Sequence, residues 1–271
     1  GLGYLPSQNG MPDLLFRGTT TGELLALDPK DGKILWATKT ADPFRGESIV
    51  AAPIAVEGKV FVGIATSELG VCGRVMAFNA YTGEKEWTAH TIFDIKKKKD
   101  GTVTCNPQGG AQWTSLSFNN QDDGSRDKGF LFVPVANPFP DFVRADGTAG
   151  TLYTNSVIRI DANTGKINLY YQVLSHDVHD WDLGTAPVLY RTASGTDMLA
   201  IAGKDGFIYG VERKTFKLVY KTSGTQHRNI DKPFPFSHDF PPSRAALRVC
   251  PGVFGGAQFT GPSYDPNSDN L

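Results

Sequence analysis

The 271-residue chain balances 27 Lys and Arg against 28 Asp and Glu, and its longest basic run is Lys96-Lys97-Lys98-Lys99. That balance argues against a nucleic-acid partner and reads the lysine run as a solvated loop. No apolar run is long enough to span a membrane, and Gly1-Leu2-Gly3-Tyr4-Leu5-Pro6 lacks the charged and apolar regions of a signal peptide. The expected partner is therefore a small molecule, and the length suffices to bury a core.

In chain order, a repeat comes first. The stretch Ala26-Leu27-Asp28-Pro29-Lys30-Asp31-Gly32-Lys33-Ile34-Leu35-Trp36 returns as Ala77-Phe78-Asn79-Ala80-Tyr81-Thr82-Gly83-Glu84-Lys85-Glu86-Trp87. A weaker copy runs from Arg159 through Asp161-Ala162-Asn163-Thr164-Gly165 to Ile167, and another from Gly210 to Tyr220. Each copy predicts a strand, a tight turn and a second strand. Gly accepts positive φ in such a turn, and the Asp or Asn side chain bonds to its own backbone. The closing Trp or Tyr is expected to fill space between neighbouring sheets. Further hairpins are predicted over Ile49 to Ala55 and Lys59 to Ala65, turning at Glu57-Gly58. Ala186 to Tyr190 and Met198 to Ala202 predict another, followed by a turn at Lys204-Asp205-Gly206. About four strands recur roughly every 50 residues, the signature of β-propeller blades.

The predicted fold is thus all-β, a β-propeller of four-stranded antiparallel blades. A β-sandwich is the rival, but it does not require matching turns at matching positions. Four blades are expected, the first open to being incomplete, with a fifth opening at Gly255-Gly256-Ala257-Gln258-Phe259. That opening echoes Gly109-Gly110-Ala111-Gln112-Trp113. We read residues 1–271 as one propeller domain truncated at both ends, an arc with two open sheet edges.

Ionisable groups concentrate in Ser175-His176-Asp177-Val178-His179-Asp180-Trp181-Asp182. Buried charges need a partner, a hydrogen bond or a metal, so this is either a functional loop or a set of turn caps. Cys72, Cys105 and Cys250 fit no zinc pattern, and which pair, if any, forms a disulfide stays open.

With the Trp-ended turns, the Gly-Gly-Ala-Gln-Trp segment and the His176–Asp182 loop in order, the chain resembles the quinoprotein alcohol dehydrogenases over essentially all its length. That resemblance implies a periplasmic eight-bladed propeller binding pyrroloquinoline quinone (PQQ) on its axis beside a metal ion, so about four of eight blades are present here. It implies metal ligation by Glu68, Asn137 and Asp180, with Asp182 as an extra carboxylate resembling the lanthanide-dependent branch; Ca²⁺ suits the oxygen set otherwise. It implies that Trp113 forms the floor under the quinone, that Lys204 bonds the quinone oxygens, and that Ala65, Thr66 and Ser67 line the cofactor. Asp180 is the implied catalytic base, taking the alcohol proton while hydride passes to the quinone. His176 and Asp177 are expected to brace the loop. The implied reaction oxidises a small primary alcohol to the aldehyde and passes electrons to a periplasmic acceptor such as a cytochrome c. Three departures stand out. Val50 replaces a common threonine, Ala65 a common serine and Cys72 a usual arginine. The family's adjacent-cysteine disulfide and a neighbouring arginine would precede Gly1. These losses permit an alternative, a non-catalytic propeller acting as a binding or scaffold module. The insertion Asn119 to Lys128 is expected to be a solvated loop and not a calcium site.

Overall fold

The computed structural model describes residues 1–100, 103–106, 108–120, 127–142, 152–230 and 248–271. The first blade is a meander of β1 (Gly3–Leu5), β2 (Leu14–Gly18), β3 (Glu23–Leu27) and β4 (Ile34–Lys39). The second holds β5 (Ile54–Val56), β6 (Lys59–Gly63), β7 (Arg74–Asn79) and β8 (Lys85–His90). Three short strands follow: β9 (Lys96–Lys97), β10 (Val103–Thr104) and β11 (Gln108–Gly109). The third blade is β12 (Ser117–Asn119), β13 (Phe130–Pro134), β15 (Ser156–Asp161) and β16 (Ile167–Gln172). Between its middle strands, β14 (Pro138–Phe139) pairs with β11. The fourth blade is β17 (Val188–Arg191), β18 (Asp197–Ala202), β19 (Phe207–Glu212) and β20 (Leu218–Ser223).

All four blades are complete antiparallel sheets, so the first is not short of a strand. Two expectations change. Residues 49–53 are not part of a strand, because the backbone there turns to meet another loop through the Ser48 and Ala65 bridge. The Gly255–Phe259 segment forms no strand either; its Gly256 N–H instead donates to the Lys204 carbonyl at 2.8 Å. Lys96 and Lys97 are exposed as expected but sit in a two-stranded ladder with Val103 and Thr104. Of the insertion, residues 121–126 lie outside the described residues. Of its described residues, Asn120 and Lys128 are exposed as expected, whereas Asn119 and Asp127 are buried: the Asn119 amide donates to Asp127 at 2.9 Å, and Asp127 faces Arg213.

Middle strands of the second to fourth blades are largely buried on both faces, whereas β2 and β3 of the first alternate buried with more open positions; the period of two sorts their side chains between neighbouring blades. Val60 and Val62 on β6 pack toward the first blade, while Phe61 between them packs with Leu131 and Val133 of the third. Ile158 and Ile160 join that second cluster, whereas Val157 joins Leu199, Ile201 and Tyr209 of the fourth blade.

The repeated turns explain why the blades stack in register. In all four copies the ladder shifts at the same place, at Ala26/Leu27, Ala77/Phe78, Arg159/Ile160 and Gly210/Val211. Trp36 donates its indole N–H to the Ala80 carbonyl at 3.0 Å, and Trp87 does the same to Ala162 at 3.0 Å. Each ring lies on the turn glycine of the next blade: a Cβ at Gly83 would sit 2.7 Å from Trp36, and one at Gly165 2.7 Å from Trp87. The lock changes between the third and fourth blades. Leu169 stands where the tryptophan would be, and Phe216 stands where the glycine would be, at φ +56°. Both belong to one apolar cluster, with Phe216 4% exposed. The large side chain has moved from one partner to the other.

A buried ion pair ties the first and second blades. Arg74 meets both Glu47 oxygens, at 2.7 and 2.8 Å. Burial by itself would raise the Glu47 carboxyl, but the Arg74 hydrogen bonds and charge outweigh it and hold the group below the usual carboxylate range. A depressed carboxylate stabilises the fold above its unfolded pKa, and that contribution is lost as pH falls through the folded value. Glu47→Gln is expected to destabilise by about 3 kcal/mol at neutral pH, because Arg74 then loses its partner. In denaturant melts the gap between wild type and variant should narrow below about pH 4; a gap independent of pH would contradict the assignment.

Candidate active site

Loops joining the second to the third strand of a blade, and the connections from one blade to the next, emerge at the same end of an antiparallel meander. The residues singled out from the sequence lie on those loops: Glu68 after β6, Asn137 after β13, Asp180 and Asp182 before β17, Lys204 after β18 and Trp113 before β12. Carboxylate oxygens of Glu68, Asp180 and Asp182 come within 4.8 Å of one another. Glu68 is exposed on a single-turn 3₁₀ helix, Ser67–Leu69, while Asp182 is 1% exposed.

Lys204 is no solvated turn residue. Its ammonium lies 3.1 Å from Asp180 and 2.6 Å from Asp182, and 5.8 Å from the Trp113 ring centroid. Burial would depress this amine, yet Asp182 and Asp180 together raise it above its ordinary value. Trp113 is half-buried and held against Gly184, where a Cβ would come within 2.5 Å of the indole. Burial first, and then repulsion from Asp182, push Asp180 up to about 7 against the pull of Lys204. Asp180 also holds φ at +61°, a left-handed conformation that Asp and Asn tolerate better than most side chains.

Backbone zippering sets the spacing. Gly109 donates to the Val71 carbonyl at 2.8 Å, Gly73 donates to Gly109 at 3.0 Å, and Gly110 donates to Asn137 at 2.9 Å. The Gly109–Gly110 segment thus fastens the Glu68 loop to the Asn137 loop. Gly109 sits at φ +97°, and a Cβ there would lie 2.7 Å from the Asn137 carbonyl. Gly109→Ala is therefore expected to cost about 1–3 kcal/mol from backbone strain alone. Thermal melts check this, and an unchanged melting temperature would contradict it.

Ala65, Thr66 and Ser67 serve the same scaffold. Ala65 donates its N–H to Ser48 at 2.9 Å, the Thr66 hydroxyl donates to the Gly46 carbonyl, and the buried Ser67 hydroxyl accepts from Ala111 N–H at 3.0 Å. Val50 is exposed. Cys72 and Cys105 form a disulfide, which settles the pairing the spacing left open, and Cys250 is free.

In the 175–182 loop the bracing falls to Asp177. It is 5% exposed and accepts from His179 N–H at 2.8 Å, Trp181 N–H at 2.7 Å and the Asn155 amide at 3.1 Å. Burial raises it to about 6 despite those donors. His176 does not share the role: it is exposed, and its hydrogen bond is to the adjacent Ser175 at 3.1 Å.

Four participants had no role assigned from the sequence, although His179 lay in the ionisable stretch singled out there. Asn155 reaches both Asp177 and the Trp181 carbonyl, at 3.1 and 2.9 Å. His179 is buried and stacks on Trp181 at 4.2 Å. Gln112 is 1% exposed, and neither amide atom has a hydrogen-bond partner among the described residues; its place beside Trp113 was the available signal. Asp141 accepts from the Asn137 amide at 2.8 Å, and burial, then Glu68 and Asp182, push it up to about 6. Within Pro138-Phe139-Pro140-Asp141 it read as an ordinary turn.

The arrangement offers oxygen donors to a cation. The Asn137 Oδ1 and Asp180 Oδ1 are buried and lack hydrogen-bond partners among the described residues. The ammonium held between Asp180 and Asp182 shows that positive charge is favoured there.

Residues 46–233 match the family model described as PQQ, glucose/ethanol/alcohol dehydrogenase, beta-propeller domain. The chain is 31% identical over 228 residues to the quinohemoprotein alcohol dehydrogenase ADH IIB of Pseudomonas putida, covering 76% of this chain and 32% of that protein. It is 24% identical to methanol dehydrogenase [cytochrome c] subunit 1 of Methylorubrum extorquens, covering 99% of this chain and 47% of that one. A solved europium-containing methanol dehydrogenase superposes with a TM-score of 0.78 at 24% identity, covering 98% of this chain and 50% of its own. The chain therefore spans about a third to a half of the length of these proteins.

Proposed function

Because the chain belongs to the PQQ glucose/ethanol/alcohol dehydrogenase β-propeller family, we propose that it carries the cofactor and metal face of a quinoprotein oxidising a small primary alcohol to the aldehyde. The observation supporting this most is the convergence of Glu68, Asp180 and Asp182 from separate loops, with the ammonium of Lys204 between the two aspartates. Glu68, Asn137, Asp180 and Asp182 would hold Ca²⁺ or a lanthanide ion; an all-oxygen set rich in carboxylate suits either. When bound, PQQ supplies the hydride acceptor and the ion a Lewis acid.

The chain's own residues do the rest. Asp180 accepts the alcohol proton at Oδ1, the oxygen that Lys204 does not engage. Lys204 holds Asp180 in place and supplies positive charge beside Trp113, whose flat face suits a conjugated ring. Asp182 receives the Asn137 backbone N–H at 2.8 Å and so couples two of the ligand loops. Asp177 fixes the loop that presents Asp180. Electrons then pass to an acceptor, for which a cytochrome c is proposed, as the methanol dehydrogenase relative's name states for that protein. The Cys72–Cys105 disulfide suits the periplasm, an oxidising compartment.

Reconstituting the full-length protein with PQQ and Ca²⁺ or La³⁺, then following dye reduction by small primary alcohols, tests the reading. Reduction dependent on alcohol, PQQ and metal supports it. Folded protein inactive with both ions rejects it in favour of a binding module.

A further inference from the structure

Asn137 is completely buried, and every polar atom but one is committed. Its backbone N–H goes to Asp182 at 2.8 Å and its carbonyl receives Gly110 N–H at 2.9 Å. Its side-chain NH₂ spends both hydrogens, on the Pro138 carbonyl at 3.1 Å and on Asp141 Oδ1 at 2.8 Å. Only Oδ1 has no partner among the described residues. An amide can flip by half a turn, exchanging its oxygen and nitrogen, and hydrogen bonding decides between the two orientations. Flipping Asn137 would turn its oxygen onto two acceptors, the Pro138 carbonyl and the Asp141 carboxylate. The carboxylate is the stronger of the two, since hydrogen bonds to charged acceptors are roughly twice as strong as neutral ones.

We propose that Asp141 is a positioning residue that locks the Asn137 amide with its oxygen, not its NH₂, toward a cation shared with Glu68, Asp180 and Asp182. This rests on the metal assignment above and adds to it a residue that orients a ligand without being one. Outer-shell partners of this kind are worth about 10–100-fold in metal affinity. Asn at position 141 could still accept from the Asn137 NH₂ through its own side-chain oxygen, whereas Ala could not.

The test uses the full-length, PQQ-loaded protein and Eu³⁺ as probe, excited directly, in wild type, Asp141→Asn and Asp141→Ala. Two quantities are read: the Kd, and the number of inner-sphere waters from luminescence lifetimes in H₂O and D₂O. For Asp141→Ala the proposal expects about 10–100-fold weaker binding and one additional bound water, as the Asn137 oxygen is lost. For Asp141→Asn it expects affinity within about threefold of wild type and no added water. Wild-type hydration in Asp141→Ala overturns the positioning role while leaving the metal assignment standing. Loss of the same size in both variants, with water counts unchanged, overturns it in favour of a purely electrostatic effect. Absence of saturable Eu³⁺ binding to wild type overturns the metal assignment, and the positioning role with it.

Discussion

Asp180→Asn in the full-length protein is expected to lower kcat for alcohol oxidation by about 10²–10⁴-fold, the usual contribution of a positioned general base. Because Asp180 is also a proposed ion ligand, rates are compared at saturating Ca²⁺ or La³⁺, so that the loss reads the base. Asn is isosteric with Asp and among the few side chains that tolerate the left-handed backbone that Asp180 holds at φ +61°. Its amide oxygen can still accept from Lys204, which keeps its second, 2.6 Å contact with Asp182. The loop should therefore stand, because the bonds that fix it run through Asp177 and Asn155 and not through position 180. What disappears is a carboxylate able to take a proton. Steady-state rates at saturating alcohol, alongside the absorbance of bound quinone and a thermal melt, would check this. A folded, quinone-bound Asp180→Asn protein retaining a third or more of wild-type kcat would remove Asp180 as the base.

Trp87→Ala is expected to destabilise a blade interface by about 3 kcal/mol, the low end for a large aromatic because the indole is part-buried. The indole packs beside Phe61, with ring centroids 5.8 Å apart, and lies on Gly165 of the next blade. Its N–H is the donor to the Ala162 carbonyl at 3.0 Å. Truncation opens a cavity at a blade interface and leaves that carbonyl without its donor, and the two costs add. The third-to-fourth interface offers a control. Leu169→Trp alone should overfill it, and Phe216→Gly alone should empty it. Combining them restores the Trp-on-Gly arrangement of the other interfaces, so the double variant should be more stable than the sum of the two single effects implies. Chemical denaturation of the four proteins measures the coupling. Strict additivity would show that the exchange of sizes at positions 169 and 216 is not compensatory.

These two sites differ in how much of them could be read from the sequence. The blade count, the tight turns and the interface aromatics were legible because each is written within about ten residues: an Asp or Asn to bond its own backbone, a Gly to take positive φ, and a large ring to close the strand. Phe216 kept the turn without its glycine, and only the neighbouring Leu169 explains why. Among site residues, resemblance named Glu68, Asn137, Trp113, Asp180, Asp182 and Lys204 singly, on loops far apart in the chain. It could not show that Lys204 is shared by two aspartates or that Gly109 fastens two of the loops together. Asp141 and Asn155 were overlooked because nothing in their immediate neighbours distinguishes a turn or strand-end polar residue from a buried one, and Gln112 because its one signal, the adjacent Trp113, was read for the ring alone.

The sequence by itself determined the all-β repeat, its four-stranded unit and the loops on which chemistry could sit, since hydrophobic alternation and turn chemistry are short-range. Only the tertiary structure decided the Cys72–Cys105 pairing, the burial of Lys204, that of the expected pair Asp177 and His176 it is Asp177 that braces the loop, and the hold of Asp141 on Asn137. Those depend on which loops the stacked blades bring together, and that follows from packing across distances for which local patterning carries no signal.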